Sequence, residues 1–180
     1  MHITENDLPC RLRKISVIGL NGVFTVVTEP DRPRIIAPAP LFYLPAFVVV
    51  TGLHWLWPLP IVDHPATPWV GRAILFPGLA LHLWGVWSMK RNRTPINPYN
   101  PPTTVVSSGA FRVSRNPLYV GLNLVLLGLV LILNSVAGLV TILTLFAVVH
   151  FGVILPEERY LERKFGDRYS RYQKMVRRYL

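Results

Sequence analysis

Hydrophobic residues in this chain are gathered into long blocks without charge, rather than spread with the period of a half-buried helix or strand. The blocks cover residues 35–62, 73–89 and 116–156. A membrane-spanning helix needs roughly 20 apolar residues, so a helix through the whole third block would be about twice as long as the hydrocarbon layer is thick. The third block must therefore fold back on itself, and Asn134-Ser135 is its polar break.

This pattern predicts an all-α integral membrane protein with about four transmembrane helices. The spans are expected at residues 41–59, 69–89, 118–133 and 136–155. From residue 156 to 178, apolar and aromatic residues recur every three to four positions, which predicts a C-terminal cytoplasmic amphipathic helix. The membrane domain then occupies residues 35–180. Residues 1–34 are expected to form a peripheral or poorly ordered N-terminal extension, with an interfacial helix as the alternative.

The basic residues indicate an orientation. Of 19 Lys and Arg residues, five lie in residues 1–37, five in 90–115 and eight in 156–180. A four-span arrangement places all three clusters on one side, and positive loops favour the cytoplasm, so both termini are expected there. The net charge of +10 then reflects topology and attraction to membrane lipid, not a nucleic-acid partner. The compact chain without a targeting signal is typical of a prokaryotic inner membrane.

Two short polar motifs flank the third apolar block. In the first, Arg115-Asn116-Pro117, proline suits the first turn of a helix and Asn116 suits its N-cap. The positive end of that helix could hold a carboxylate or ribose hydroxyls. The alternative is that Asn-Pro merely starts the helix and Arg115 anchors it at the interface.

The second motif is the acidic pair Glu157-Glu158, where the fourth span is expected to leave the membrane. The pair either caps a helix or binds a cation or an amine. Because both motifs lie at cytoplasmic ends of one hairpin, we expect them to converge. His54, His82 and His150 lie in or near the spans, but no Cys, Asp or Glu is spaced to complete a metal site with them.

Together, the two motifs resemble a known family. The patterns are G-A-F-R-V-S-R-N-P-L-Y-V-G from residue 109 and, after the apolar hairpin, E-E-R-Y-L-E-R-K-F-G-D-R-Y-S-R-Y from residue 157, which leads to V-R-R. They resemble the isoprenylcysteine carboxyl methyltransferase family, whose relatives include the phospholipid N-methyltransferases. The resemblance covers about residues 93–178. Better-known eukaryotic members have histidine where Asn116 stands.

The resemblance implies an integral-membrane methyltransferase that uses S-adenosylmethionine without a Rossmann fold, and no G-x-G-x-G loop occurs here. It also implies that the cofactor lies between the loop before the first motif, that motif and the acidic pair. Carried over by motif position, the cofactor-binding residues are Thr103, Thr104, Val105, Val106, Phe111, Asn116, Pro117, Leu118, Tyr119 and Glu157.

The expected reaction transfers a methyl group to a lipophilic small molecule or lipid, with an isoprenylcysteine-like carboxylate preferred and a phospholipid amine as the alternative. Arg115 or Arg112 would position a carboxylate, whereas Glu158 or His150 would remove a proton from an amine. Arg115, Glu158 and His150 are therefore the catalytic candidates. Two other readings remain: a reductase-like protein that binds a nicotinamide cofactor, and a membrane protein that binds partners without catalysis.

Overall fold

The structure, a computed structural model, describes residues 15–20, 23–28, 35–95 and 100–180. The chain divides into two compact units, Met1–Arg32 and Pro33–Leu180. In the first unit, strands β1 (Ile15–Leu20) and β2 (Val23–Thr28) pair antiparallel. Their β-branched and aromatic residues favour strands, so the alternative of an interfacial helix is wrong for these residues. The rest of the N-terminal extension lies outside the described residues.

In the described part of the second unit, every regular element is helical. A 3₁₀ turn (Gly109–Arg112) precedes α3, and a π-helical segment (His150–Ile154) joins α4 to α5 without a break. The six α-helices are α1 (Ala39–Leu56), α2 (Thr67–Arg91), α3 (Pro117–Ile132), α4 (Val136–Val149), α5 (Leu155–Phe165) and α6 (Asp167–Met175).

The C-terminal helix departs from expectation. Instead of one helix over residues 156–178, α5 and α6 are separated at Gly166, whose φ of +52° lies in the left-handed region that favours glycine. The helical conformation ends at Met175, and Val176 is extended. The last residues are therefore free to run back over the loop before α3.

Two helices are long and apolar enough to cross a membrane: Thr67–Arg91, and the continuous helix Val136–Phe165. The apolar helices Leu41–Leu56 and Pro117–Ile132 are shorter. Large apolar side chains on the outer helix surfaces are exposed, among them Leu44, Val48, Phe76 and Leu143. Such a surface suits lipid rather than water.

The turns at one end of the helices are tied together by Asn134, which joins α3 to α4 in a left-handed conformation with φ of +51°. Its Oδ1 accepts hydrogen bonds from the backbone N–H groups of Ile61 (2.9 Å) and Val62 (3.2 Å), and its Nδ2 donates to the Val62 carbonyl (2.8 Å). The loop between α1 and α2 therefore lies against the loop between α3 and α4. Consecutive helices run up and down, and the polar motifs lie at the other end.

Helices α2 and α3 pack closely through glycines. Gly71, Gly78 and Gly85 recur at seven-residue intervals along the buried side of α2. A Cβ atom on Gly78 would lie 3.0 Å from the Gly121 carbonyl oxygen of α3, and one on Gly71 would lie 2.6 Å from the Gly128 carbonyl oxygen. Because two backbones approach so closely only where side chains are absent, these glycines fix the position of α3 and of the motif at its start.

The apolar core lies mainly between α1, α3 and α4. Its most deeply buried side chains are aliphatic apart from one tyrosine: Tyr43, Val50, Leu126, Val130, Val149, Val153 and Ile154. This packing holds the α3–α4 hairpin rigidly, so that the two motifs at its open end are presented to each other.

Candidate functional site

The loop before α3 is fixed by close packing against α2. Gly109 has φ of +62°, and a Cβ atom there would lie 2.3 Å from the Ser88 Oγ. The same Ser88 hydroxyl accepts a hydrogen bond from the Ala110 N–H at 3.2 Å. Glycine is therefore required at the start of the first motif, and the motif reaches α3 in one defined orientation.

Asn116 occupies the N-cap position of α3, but its side chain makes no capping hydrogen bond. Its Nδ2 donates instead to Glu158 Oε1 (3.4 Å) and to the Arg178 carbonyl (3.2 Å). The acidic pair does not cap a helix either, because α4, the π-helical segment and α5 are continuous. For both motifs, the purely capping interpretation is therefore wrong.

Glu158 is buried and lies between two arginines. Its Oε1 is 3.2 Å from Arg115 Nη1, and its Oε2 is 2.9 Å from Arg178 Nη2 and 3.0 Å from Arg178 Nε. The Arg115 contact is an ion pair without hydrogen-bond geometry, since both Nε and Nη1 of Arg115 are buried and lack a hydrogen-bond partner among the described residues. The convergence expected of the two motifs is confirmed, and Glu158 is the residue through which they meet.

The C-terminal segment, residues 176–180, completes this arrangement. The Arg177 carbonyl accepts from the Arg115 N–H (2.9 Å), and the Arg178 carbonyl accepts from Ser114 Oγ (3.1 Å). The Tyr179 hydroxyl is hydrogen-bonded to His150 Nδ1. The chain's last residues therefore join the first motif to the end of the fourth helix.

Glu157 lies beside Glu158 on α5 but has a different environment. Its Oε2 accepts a hydrogen bond from the Tyr119 hydroxyl at 3.1 Å, and its Oε1 makes no hydrogen bond to a group that the structure describes. No arginine or lysine pairs with it among the described residues. Two neighbouring acids thus have two roles available: Glu158 is neutralised by arginines, while Glu157 keeps a carboxylate oxygen for another molecule.

A cavity lies between the loop after α2, the first motif and helices α5 and α6. Its charged lining consists of Arg115, Glu157 and Glu158, and its remaining lining is a mixture of polar, apolar and aromatic residues. Those other residues are Met89, Thr94, Pro95, Asn100, Pro102, Thr104, Val105, Val106, Phe111, Asn116, Tyr160, Leu161, Tyr169 and Tyr172.

The tyrosines of α6 form one wall of the cavity. Burial raises the pKa of the Tyr169 and Tyr172 phenols above the ordinary value, so both stay protonated. The Tyr172 hydroxyl donates to the Phe111 carbonyl at 2.7 Å and so ties α6 to the first motif. At Glu158, the hydrogen bond from Arg178 raises the pKa of the arginine and keeps it charged.

The cavity brings together most of the residues that the sequence assigned to a site. Thr104, Val105, Val106, Phe111, Asn116, Glu157, Arg115 and Glu158 all line it. Thr103 lies just behind, with its hydroxyl 3.4 Å from the Arg93 carbonyl.

Other predicted site residues lie outside the lining. Pro117 is fully buried, and Leu118 packs against α2, where its carbonyl is 3.1 Å from His82 Nδ1. Tyr119 reaches the site through Glu157 alone. His150 contacts Phe146, Phe151 and Tyr179 rather than the cavity. The described residues contain no cluster of His, Cys, Asp and Glu that could hold a metal ion.

The sequence assigned no site role to Arg178, Tyr169 or Tyr172, although both tyrosines lie in the pattern that begins at Glu157 and Arg178 closely follows it. The signal was present, since the tyrosines recur at helical spacing and Arg178 follows them in V-R-R. The sequence pattern predicted one helix through Gly166 and so did not show the break there. The turn at Gly166 brings these residues back toward Glu158.

Comparisons with known proteins agree with this geometry. The family described as phospholipid methyltransferase matches residues 66–168. An uncharacterized protein of Haemophilus influenzae is 47% identical over 64 residues, which are 35% of this chain and 100% of that relative. No solved structure matches. The matched region contains helices α2 to α5, the first motif, the acidic pair and most of the cavity lining, and the family resemblance expected from the motifs is confirmed. This chain belongs to the phospholipid methyltransferase family.

Proposed function

We propose that this protein is an S-adenosylmethionine-dependent methyltransferase that methylates a lipophilic acceptor at the membrane. Membership of the family supports a membrane methyltransferase. The observation that carries the cofactor assignment is Glu157, a carboxylate with a free oxygen in a cavity lined by residues of both motifs.

The residues present fit the amino-acid end of the cofactor. Glu157 Oε1 would accept hydrogen bonds from the α-ammonium group, and the buried Nε of Arg115 would donate to the α-carboxylate. The charges of Arg115, Arg178, Glu157 and Glu158 sum to zero, but both arginines pair with Glu158, so Glu157 has no cation partner among the described residues and can face a cationic group. The cofactor, with a sulfonium, an ammonium and a carboxylate, carries one excess positive charge.

The other lining residues of the cavity fit the nucleoside of the cofactor. Val105, Val106 and Phe111 provide apolar and aromatic surface for a purine ring, and Thr104 offers a hydroxyl. Thr103 would act from behind the lining, through its contact with the Arg93 carbonyl. Pro117 and Leu118 contribute by fixing the start of α3 against α2 rather than by touching the cofactor.

The bound cofactor supplies an activated methyl group on a sulfonium. The protein therefore has to align acceptor and methyl group and to exclude water. The apolar lining and the ion-paired floor of Glu158, Arg115 and Arg178 suit this role.

For the acceptor, we propose a carboxylate first. Such a group needs no general base, and the two bases predicted from the sequence are poorly placed to act as one. Glu158 is held by two arginines, and His150 is bonded to Tyr179 outside the cavity. Of the two cations predicted to position a carboxylate, Arg115 lines the cavity and Arg112 is exposed at the end of the 3₁₀ turn.

An amine is the second candidate acceptor, favoured by Glu157. If the cofactor's ammonium lies elsewhere, the free Oε1 of Glu157 could bind the acceptor amine and take the proton that is released on methylation. Assays with N-acetyl-S-farnesylcysteine and with phosphatidylethanolamine separate the two candidates. Methyl transfer to the first alone supports the carboxylate, and transfer to the second alone supports the amine.

Binding of S-adenosylmethionine and of its demethylated product, measured by calorimetry on purified protein in detergent, tests the cofactor assignment. A hydrogen bond to a charged group contributes about 1.5–3 kcal/mol, so Glu157→Gln should weaken binding by about tenfold to a hundredfold. Glu162→Gln is the matched control, because Glu162 is exposed on the same helix. Absence of binding by folded wild-type protein, or equal binding by Glu157→Gln, would refute the assignment.

A further inference from the structure

A stripe of polar side chains continues from the cavity along α3. Asn116, Tyr119 and Asn123 are spaced three and four residues apart, so they lie on one face of a helix whose other residues from 117 to 132 are apolar or glycine. This polar stripe extends about 10 Å along the helix axis, at 1.5 Å per residue. Its first two members contact Glu158 and Glu157. Asn123, the inner member, touches neither acid.

Asn123 is bonded on one side only. Its Nδ2 donates to the Tyr43 hydroxyl of α1 at 2.6 Å and to the Tyr119 carbonyl at 2.8 Å. Its Oδ1 is buried and has no hydrogen-bond partner among the residues that the structure describes. Exchanging the amide oxygen and nitrogen would not help, because the oxygen would then face the Tyr119 carbonyl oxygen.

Tyr43 has a matching unused group. Its side chain is 2% exposed, and its hydroxyl oxygen accepts a hydrogen bond from Asn123 Nδ2, so its own O–H remains available to another acceptor. In this part of the described chain, an unused donor and an unused acceptor therefore lie side by side, enclosed by apolar residues. Leaving buried polar groups unpaired is unfavourable, and leucine at position 123 would avoid the cost.

We propose that Asn123 and Tyr43 bind a polar group of the methyl acceptor that both donates and accepts hydrogen bonds, such as an amide or a hydroxyl. Tyr43 donates to this group and Asn123 Oδ1 accepts from it. The inference rests on the proposed function and adds the chemical class of the acceptor, a lipid-soluble molecule with an amide or a hydroxyl. Because the polar stripe is about 10 Å long, this group should lie roughly 10 Å or less from the reacting atom. The two residues are specificity determinants rather than catalytic groups.

The test uses Asn123→Leu and Tyr43→Phe, with Thr144→Val as the control. Thr144 is exposed on α4, and its hydroxyl bonds only to the Val140 carbonyl of its own helix. The probes are N-acetyl-S-farnesylcysteine, which has an amide beside its carboxylate, and the farnesylated thioether acid without that amide. We measure cofactor binding by calorimetry, then kcat and KM for each probe, and thermal unfolding in detergent.

In both variants, KM for the amide-bearing probe should rise about tenfold, which is roughly the affinity that one buried hydrogen bond contributes. The kcat, the cofactor Kd and KM for the probe without the amide should change less than threefold. Lowered unfolding temperature with unchanged KM would assign the pair to helix packing and overturn the proposal.

If wild-type protein neither binds the cofactor nor transfers a methyl group, the proposed function fails. Direct calorimetric binding of the two probes to wild-type and variant protein still decides this inference. Selective loss of the amide-bearing probe in Asn123→Leu and Tyr43→Phe supports it, and equal binding by all proteins refutes it.

Discussion

At the scale of single residues, the main feature is the division of roles between adjacent acids. Glu157 and Glu158 are neighbours on α5, yet their contacts differ because successive side chains on a helix point about 100° apart. Glu158 points toward Arg115 and Arg178, whereas Glu157 points toward Tyr119 and the cavity. One acid therefore contributes to the architecture of the site, and the other is available to a ligand.

Removing Arg178 should destabilise the protein through Glu158. Arg178→Ala leaves the buried carboxylate with the Arg115 ion pair and the weak Asn116 contact, so we expect a loss of about 1.5–3 kcal/mol in unfolding free energy. Chemical unfolding in detergent measures this change. The matched control is Arg177→Ala, whose side chain is exposed and whose carbonyl contact to Arg115 is kept.

The double variant Arg178→Ala/Glu158→Gln isolates the cause. If the loss comes from an unpaired buried charge, neutralising Glu158 should recover part of the stability. Equal stability of Arg178→Ala and the wild type would show that the ion pair contributes nothing.

At the scale of elements, the position of the site depends on how closely α2 and α3 approach. Their glycines allow backbone contact, and this contact sets where the first motif begins. The sequence contains the seven-residue spacing of Gly71, Gly78 and Gly85, but a glycine pattern does not by itself say which helix it faces. The partner glycines, Gly121 and Gly128, are identified by the packed structure.

Gly121→Val should therefore separate α2 from α3. A Cβ atom at position 121 would lie 2.7 Å from both the Gly78 carbonyl oxygen and the His82 backbone nitrogen, and backbone atoms cannot move aside as a flexible side chain can. We expect destabilisation of about 1–3 kcal/mol or more, the usual cost of overpacking. Thermal unfolding in detergent measures it.

Gly52→Ala on α1 is the matched control, because no atom lies within 4 Å of its added Cβ. Alanine has the higher helix propensity by about 0.8–1 kcal/mol, so this variant should be as stable as the wild type or more so. Loss of stability in Gly52→Ala similar to that in Gly121→Val would contradict the packing explanation.

At the scale of the whole molecule, we propose that all four apolar helices cross the membrane. On α2, Trp69 and Trp87 are exposed and lie about 27 Å apart along the axis, close to the thickness of a hydrocarbon core. Arg72 lies 4.7 Å from the ring centre of Trp69, and Arg91 lies 5.3 Å from that of Trp87. Such pairs suit the two interfaces of a bilayer.

This topology predicts opposite accessibility for two positions. In a Cys10→Ser background, Asp63→Cys lies in the loop between α1 and α2, and Arg168→Cys lies on α6. In intact bacterial cells, a membrane-impermeant maleimide should label Asp63→Cys only, because both termini are expected in the cytoplasm. Detergent-solubilised cells, in which both positions should react, are the control. Labelling of both positions in intact cells would contradict the topology.

From the sequence alone, the family, the helical blocks and the end of the molecule where the site lies could be predicted. Charge-free runs as long as residues 116–156 have few folds other than a hairpin, and the motifs at its ends then have to meet. Arg115, Asn116, Glu157 and Glu158 could be proposed for this reason. The turn of the hairpin was also predictable, since Asn134-Ser135 is the one pair of adjacent polar residues in the block, whereas the predicted end of the fourth span at residue 155 lies inside a helix that continues to Phe165.

The packed structure was needed to identify the acid that keeps a free oxygen, the position of the C-terminal segment and the contacts of Asn123. These depend on distances between residues far apart in the chain, such as Glu158 to Arg115 and Asn123 to Tyr43. Local pattern reports burial and periodicity, but not the rotation of one helix about its axis relative to another. That rotation directs Glu157 toward the cavity and Glu158 toward the arginines.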